Sequence, residues 1–491
     1  MINSDPASQD AHPTVVADIA TTTTTTRRRD RSFLIASVSN IGIQYNFQAI
    51  SVALKIMEPA YPRNGDWEES ALKSLVFAGA ICGQMVMGYA GDTIGRRNAM
   101  ILTNFLTFFG ALGSAILPWG NADTVYAILM ACRFIIGVGV GGKYPLSAAM
   151  SKEADTTGEP GAKRDSNTDV AIAFFWQAPG AMLPYVVTLP VLMFFGVDNT
   201  DHAAVSAEFR IILGLGALPA LIVLLLCRAQ PESDEFERVK QQRSTVAQDG
   251  SGGAAAGHNV FRAAARHPEH WRRLVGTAIG WFLFDVLTYG TTINQPDIVD
   301  AVFGKNDTLW ANCEQNLLVS SFNIPTLVLA IAMLKCMGTK RLQVWGFIAI
   351  GVVSLLFVVV TIYDREDSAL NFAMLCLLIS ALAWGPNVTT YVLPAEVFPT
   401  EVRSSFFGVS AAMGKVGALI GGATFGLISE KGRMGLPVVF MICTAISGLG
   451  VAVTACFVEP YGKESFIGCG GGHLNRQGSE METSGRRGLL E

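Results

Sequence analysis

Three ionisable residues, Lys143, Asp285 and Lys415, stand in stretches otherwise apolar enough to cross a bilayer. A charge at that depth is costly and by default marks a functional site. Lys143 follows a glycine-rich run, Gly137-Val-Gly-Val-Gly-Gly142, and precedes Tyr144-Pro145. Such glycines let neighbouring backbones approach closely. Asp285 has Trp281 four residues before it and Tyr289 four residues after it, so all three share one helix face. An aromatic stripe alone would read as packing; the acid at its centre argues for a site. Lys415, in Ser410-Ala-Ala-Met-Gly-Lys415, sits on a small-residue face about a dozen residues into its stretch, too deep for easy snorkelling. Gln177 beside Pro179, and Asn387 after Gly385-Pro386, add neutral groups where proline disturbs the helix. Two lysines, one acid and the donors Tyr144, Gln177, Trp281, Tyr289 and Asn387 suit a small oxyanion. The ammonium groups supply charge and the neutral groups fix orientation. Asp285 can hold a transferable proton or accept from a protonated oxygen of the anion.

The elements that must position these residues are membrane spans. Half of the 491 residues are apolar, 15% are charged and the mean hydropathy is +0.38, where soluble domains carry nearer a quarter charged. A net charge of −4 offers no basic surface for nucleic acid. Nine cysteines, without a Cys-x-x-Cys pair, read as small apolar residues and not as a metal site or disulfide framework. No cofactor site, nucleotide loop or nucleophile–base pair is evident, which argues against an enzyme. Windows of span length recur twelve times, near 33–55, 71–91, 97–118, 123–150, 170–195, 207–228, 272–297, 316–337, 342–363, 369–393, 404–428 and 436–458. The implied organisation is a disordered tail over 1–30, a six-helix bundle over 31–228, a polar loop over 229–270, a second bundle over 271–460 and a tail over 461–491. Arg27 to Arg31, Arg96, Arg97, Lys163, Arg164, Lys340, Arg341 and Arg403 fall on one side, which the positive-inside rule assigns to the cytosol together with both termini. Asn306-Asp-Thr308 falls on the opposite side and is a weak glycosylation signal.

The loop Gly88-Tyr-Ala-Gly-Asp92-Thr-Ile-Gly95-Arg96-Arg97 resembles the loop signature of the major facilitator superfamily, with an echo at Gly338-Thr-Lys340-Arg341. The resemblance implies the major facilitator fold: an all-α membrane protein of twelve transmembrane helices in two six-helix bundles, with substrate bound between them near the midplane. More specific segments are similar to the phosphate:proton symporters of fungi and plants. These are Gly141-Gly-Lys-Tyr-Pro-Leu-Ser-Ala148, the Trp281/Asp285/Tyr289 set, Gly385-Pro-Asn-Val-Thr-Thr390, Pro394-Ala-Glu-Val-Phe-Pro-Thr400 and Ala411-Ala-Met-Gly-Lys415. That likeness implies that Tyr144, Gln177, Trp281, Asp285, Tyr289, Asn387 and Lys415 line a site for inorganic phosphate, with Asp285 implicated in proton coupling. It implies a monomeric symporter in the lipid bilayer of the plasma membrane. Phosphate exchange, uniport or export without protons, carriage of an organophosphate, and phosphate sensing are the other readings.

The chain departs from that family at two places. The family has aspartate where this chain has Lys143, and acid in the first span where this chain has Asn40, Gln44, Asn46 and Gln48. Lys143 has three arrangements open to it: in the anion site, paired with Asp285, or snorkelling to the cytosolic face. Asp92, Arg96, Arg97, Arg133, Glu153, Glu396 and Arg403 are expected as gating or structural charges, with Arg96 and Arg97 anchoring a helix at the interface.

Overall fold

The computed structural model describes residues 12–153, 166–196, 201–248, 268–293, 308–363, 368–429 and 435–458. Asn306, Lys163, Arg164 and the C-terminal tail lie outside these residues. Seventeen helices are described. The first half contains α1 (His12–Met57), α2 (Asp66–Thr93), α3 (Arg96–Ile116), α4 (Ala122–Glu153), α5 (Ser166–Phe175), α6 (Gln177–Phe195), α7 (His202–Leu215) and α8 (Ala217–Arg228). Then come α9 (Asp234–Gln248) and the second half: α10 (Pro268–Ile293), α11 (Leu309–Ser321), α12 (Asn323–Met337), α13 (Thr339–Tyr363), α14 (Ser368–Ala383), α15 (Pro386–Val397), α16 (Arg403–Ser429) and α17 (Gly435–Phe457).

Pairs of these helices continue one another across a break. The pairs α5/α6, α7/α8, α11/α12 and α14/α15 meet near Trp176, Gly216, Phe322 and Gly385. Each break is followed within three residues by a proline, Pro179, Pro219, Pro325 or Pro386. Proline donates no N–H and crowds the carbonyl one turn back, so the helix restarts with proline in its first turn. Counting each pair once gives eleven spans that meet both length and hydropathy requirements. Helix α1 is the twelfth, and it falls short in hydropathy because it carries Asn40, Gln44, Asn46 and Gln48. Those amides face protein and not lipid: Asn40 and Asn46 are buried inside the first bundle.

The result is the expected all-α architecture of two six-helix bundles. Across the middle, α2 packs on α16, α6 on α11, and α5 on both α12 and α15. Within the first bundle α4 crosses α2 at backbone contact. A Cβ on Gly141 would come within 2.3 Å of the Ala80 carbonyl oxygen, so the glycine run before Lys143 is a packing surface. Two expectations change. Helix α1 begins at His12, inside the stretch expected to be a disordered tail, and the polar loop contains α9, whose acidic first turn joins the ion-pair network described next.

Candidate functional site

At the end where α2 turns into α3, the loop motif forms a buried seam between the halves. Arg96 lies 3.2 Å from Asp92 and 3.0 Å from Glu153, and donates to the Thr400 carbonyl at 2.7 Å. Asp92 accepts the backbone N–H groups of Ser404 and Ser405 at 3.2 and 2.7 Å. It thereby caps the first turn of α16 from the other half, where unpaired N–H groups and the helix dipole favour an anion. Arg403 bridges Glu153 at 3.1 Å and Glu235 at 3.2 Å. Glu232 accepts the N–H groups of Arg96 and Arg97 at the start of α3, and Ser233 donates to Glu153 at 2.6 Å. Burial raises the Glu232 carboxyl above the usual glutamate range, against the lowering effect of its hydrogen bonds with Ser233 and Arg97 and of the Arg96 charge. The linker residues Glu232, Ser233 and Glu235 were not anticipated. Their signal was an acidic run directly after a span, opposite a cation-rich loop.

Several expected roles change here. Arg96 is fully buried, and Arg97 donates to the Cys227 carbonyl at 2.9 Å, so both bind protein and neither anchors at a lipid interface. Glu396 accepts from Thr339 at 2.5 Å within the second half, beside Gly338, whose φ of +73° matches the left-handed turn at Gly95 (+102°). The echo motif therefore reproduces the turn. Arg133 is not at the seam: twenty residues of α4 separate it from Glu153, roughly 30 Å of helix. It is buried in the first bundle and donates to the Asn46 carbonyl at 2.6 Å.

Deeper in, between the halves, lies a cavity of about 130 Å³, room for roughly ten waters. Tyr144, Gln177, Trp281, Asp285, Tyr289, Asn387 and Lys415 all line it. Lys415 donates to Asp285 at 2.9 Å and to the Tyr289 hydroxyl at 3.0 Å, and lies over the Tyr289 ring at 4.2 Å. Neither member of the Lys415–Asp285 pair is more than 3% exposed, so the lysine is too deep to snorkel. Gln44, Gln48, Thr288, Thr292, Ser320 and Asn323 also line the cavity. Gln44 donates to Gln177 at 2.8 Å, which in turn donates to Asn40 at 2.7 Å. The first-span amides were visible in the sequence, but helical spacing alone did not say that two of them would face this cavity. On the seam side, Tyr391 and Ser147 close the space with a hydrogen bond of 2.7 Å between halves, packed among Tyr144, Trp281 and Phe407.

Lys143 is absent from the cavity wall, and none of its three expected arrangements holds. Its side chain is fully buried inside the first bundle, its Nζ has no hydrogen-bond partner, and Asp285 is paired to Lys415. The Nζ points toward α1 and α8, 3.5 Å from where a Cβ on Gly42 would stand. The glycine-rich face of α4 turns Tyr144 to the cavity and its neighbour Lys143 away from it.

A cavity between two six-helix bundles, closed at one end by an ion-pair seam, defines a membrane transporter. The family model described as sugar (and other) transporter matches residues 32–459, and the chain belongs to that family of the major facilitator superfamily; it is not an enzyme. Among solved structures it is similar to the proton:xylose symporter XylE bound to 6-bromo-6-deoxy-D-glucose, with a TM-score of 0.72 at 18% identity over 89% of this chain and 97% of that one. The inward-open form of XylE from E. coli gives a TM-score of 0.61 at 19% identity, over 88% and 97% of the two chains. Its curated relatives carry a different cargo in their names. The inorganic phosphate transporter PT2 of Toxoplasma gondii is 36% identical over 449 residues, 90% of this chain and 75% of that protein. The probable inorganic phosphate transporter 1-6 of Arabidopsis thaliana is 27% identical over 437 residues, 81% and 83% of the two chains.

Proposed function

We propose that the protein carries inorganic phosphate across the plasma membrane by alternating access, in symport with protons, with both termini and the ion-pair seam on the cytosolic side. The observation that carries this reading is the Lys415–Asp285 pair in a small cavity whose other lining residues are neutral, hydrogen-bonding groups such as Tyr144, Gln177 and Asn387 interleaved with apolar ones such as Phe174, Phe284 and Leu382. A sugar site has no use for a buried ammonium, whereas an oxyanion does. Phosphate entering the cavity takes over part of the Lys415 ammonium from Asp285. Tyr144, Gln177, Trp281, Tyr289 and Asn387 orient the remaining oxygens, and Asp285 accepts from a protonated oxygen of the anion. The names of the relatives favour the same cargo.

The seam is the cytosolic gate, shut in this conformation. Release of phosphate requires the Asp92 cap on α16, the Arg96–Thr400 bond and the Glu153–Arg403 pair to part together, followed by the Tyr391–Ser147 contact. Uptake of labelled phosphate by proteoliposomes, with and without an imposed pH gradient, tests the proposal. Uptake that ignores the gradient would leave a phosphate uniporter or exchanger and remove the symport. No uptake of phosphate at all would remove the cargo.

A further inference from the structure

We propose that the cavity holds a second, uncharged subsite for the hydroxyl groups of a short polyol, so that the protein also carries phosphate monoesters of the glycerol phosphate kind. The inference rests on the phosphate reading above, which places the phosphoryl group at Lys415. The cavity is larger than that group needs. Its volume of about 130 Å³ has room for roughly ten waters, of which an inorganic phosphate ion displaces about three. A polyol of about three carbons displaces roughly three or four more, so the monoester fits the space as it stands.

The surplus lies on the side away from the seam. Helices α1 and α10 both run from the seam end, where Arg31 donates to the Ala229 carbonyl and Arg273 to the Val397 carbonyl. Gln48 lies one turn beyond Gln44 on α1. Thr288 and Thr292 follow Asp285 on α10, roughly 5 and 10 Å farther from the seam. Ser320 and Asn323 reach the cavity from the two sides of the break at Phe322, where α11 gives way to α12. A broken helix in a membrane protein is tolerated where it lines a cavity, and this one presents a polar side chain from each side of the break.

These groups differ from those around Lys415 in having no partner within the protein. Lys415 is bonded to Asp285 and Tyr289, and Gln44 to Gln177. The Thr288 hydroxyl, by contrast, is buried with no hydrogen-bond partner. The side chains of Gln48, Ser320 and Asn323 make no hydrogen bond among the described residues. Buried polar groups are as a rule hydrogen-bonded, and leaving one unmatched is costly, so this set calls for a ligand that answers it. Amides and hydroxyls each offer both a donor and an acceptor, and a polyol hydroxyl also does both. The charged residues among those described as lining the cavity are Asp285 and Lys415, which already pair with each other. A second phosphate at the far level would therefore lack a counter-ion, and so would an amine. Neutral hydroxyls fit there.

The test uses full-length protein in proteoliposomes and compares sn-glycerol 3-phosphate with n-propyl phosphate, an ester of the same length without hydroxyls. Glycerol 3-phosphate should inhibit uptake of labelled phosphate roughly tenfold more strongly than propyl phosphate, the contribution of about two neutral hydrogen bonds. Labelled glycerol 3-phosphate should itself enter. No inhibition, equal inhibition by the two esters, or inhibition without entry overturns the inference and leaves the phosphate reading intact. In the double variant Ser320→Ala with Asn323→Leu, the advantage of glycerol 3-phosphate should disappear while phosphate uptake stays at the wild-type level. A double variant that keeps the advantage overturns the subsite; if it does not fold, the wild-type comparison of the two esters decides alone. Wild-type protein that takes up glycerol 3-phosphate but no phosphate overturns the phosphate reading and leaves the subsite standing. Uptake of neither overturns both.

Discussion

Replacing Lys415 by methionine removes the one cation among the described residues that line the cavity and leaves Asp285 buried without its counter-ion. Lys415 makes two hydrogen bonds, at 2.9 Å to Asp285 and 3.0 Å to Tyr289, and is at most 2% exposed. Breaking a buried pair from one side costs about 3–5 kcal/mol, because the remaining charge has neither water nor partner. Lys415→Met and Asp285→Asn should each lower the thermal midpoint in detergent. The double variant, with no charge left to bury, should recover most of the loss, giving a coupling energy of about 3 kcal/mol across the cycle. Phosphate binding separates stability from function. A hydrogen bond to a charged group contributes about 1.5–3 kcal/mol, so Lys415→Met should weaken phosphate binding by roughly 10- to 100-fold in calorimetry, and the double variant should not restore it. Phosphate bound by Lys415→Met at wild-type affinity would refute the anion site. A double variant less stable than both single variants would refute the pair as the source of the cost.

Three further outcomes concern the seam. Glu153→Gln removes the shared acceptor of Arg96, Arg403 and Ser233, and should open the gate by about 2–4 kcal/mol. A cysteine in place of Ser151, buried just inside the seam, should then react with a membrane-permeant thiol reagent roughly 30-fold faster or more. Gly408→Ala would bring a Cβ within 2.1 Å of the Gln84 carbonyl oxygen where α16 meets α2. Overpacking costs about 1–3 kcal/mol, so net uptake should fall roughly tenfold while phosphate binding persists. Glu232, raised by burial, binds its proton more tightly in the folded protein than in the unfolded chain. Its contribution to stability is therefore fully present below the usual glutamate pKa and declines as pH rises through the raised value. Glu232→Gln should flatten that part of the stability-versus-pH curve measured by thermal unfolding, and an unchanged slope would remove Glu232 as its source.

The spans were legible because hydropathy and length are local properties. Even the breaks follow from Pro179, Pro219, Pro325 and Pro386, each placed in the first turn of a restarted helix. The exception, α1, looks weak for a sound reason: its amides are spent inside the protein, on Gln177, on the Gly216 carbonyl and on the cavity. Of the eight residues read into an anion site, seven converge on one cavity and Lys143 does not. Each combined a polar group with an apolar setting, and such a residue in a span must face protein. The linker acids were harder to see. Glu232 and Glu235 lie in a polar segment where charge is unremarkable, and only the fold brings them against Arg96, Arg97 and Arg403.

Pairing was the part that could not be read, and Lys143 shows why. Two deep lysines and one deep aspartate admit two ion pairs, and spacing along the chain does not choose between them. The choice is made by which helices approach closely enough. A Cβ on Gly414 would stand 2.9 Å from the Trp281 indole nitrogen and 3.0 Å from Asp285, so this glycine lets α16 lie directly on the aspartate face of α10 and delivers Lys415 to it. The glycines before Lys143 serve a different contact, α4 against α2 within one bundle, and they rotate Tyr144, not Lys143, toward the cavity. A glycine beside a charge indicates where its helix comes close; a glycine run further along the helix indicates only that it is packed. On that distinction Lys415 belongs with the acid, and Lys143 is left inside the first bundle, buried and without a hydrogen-bond partner.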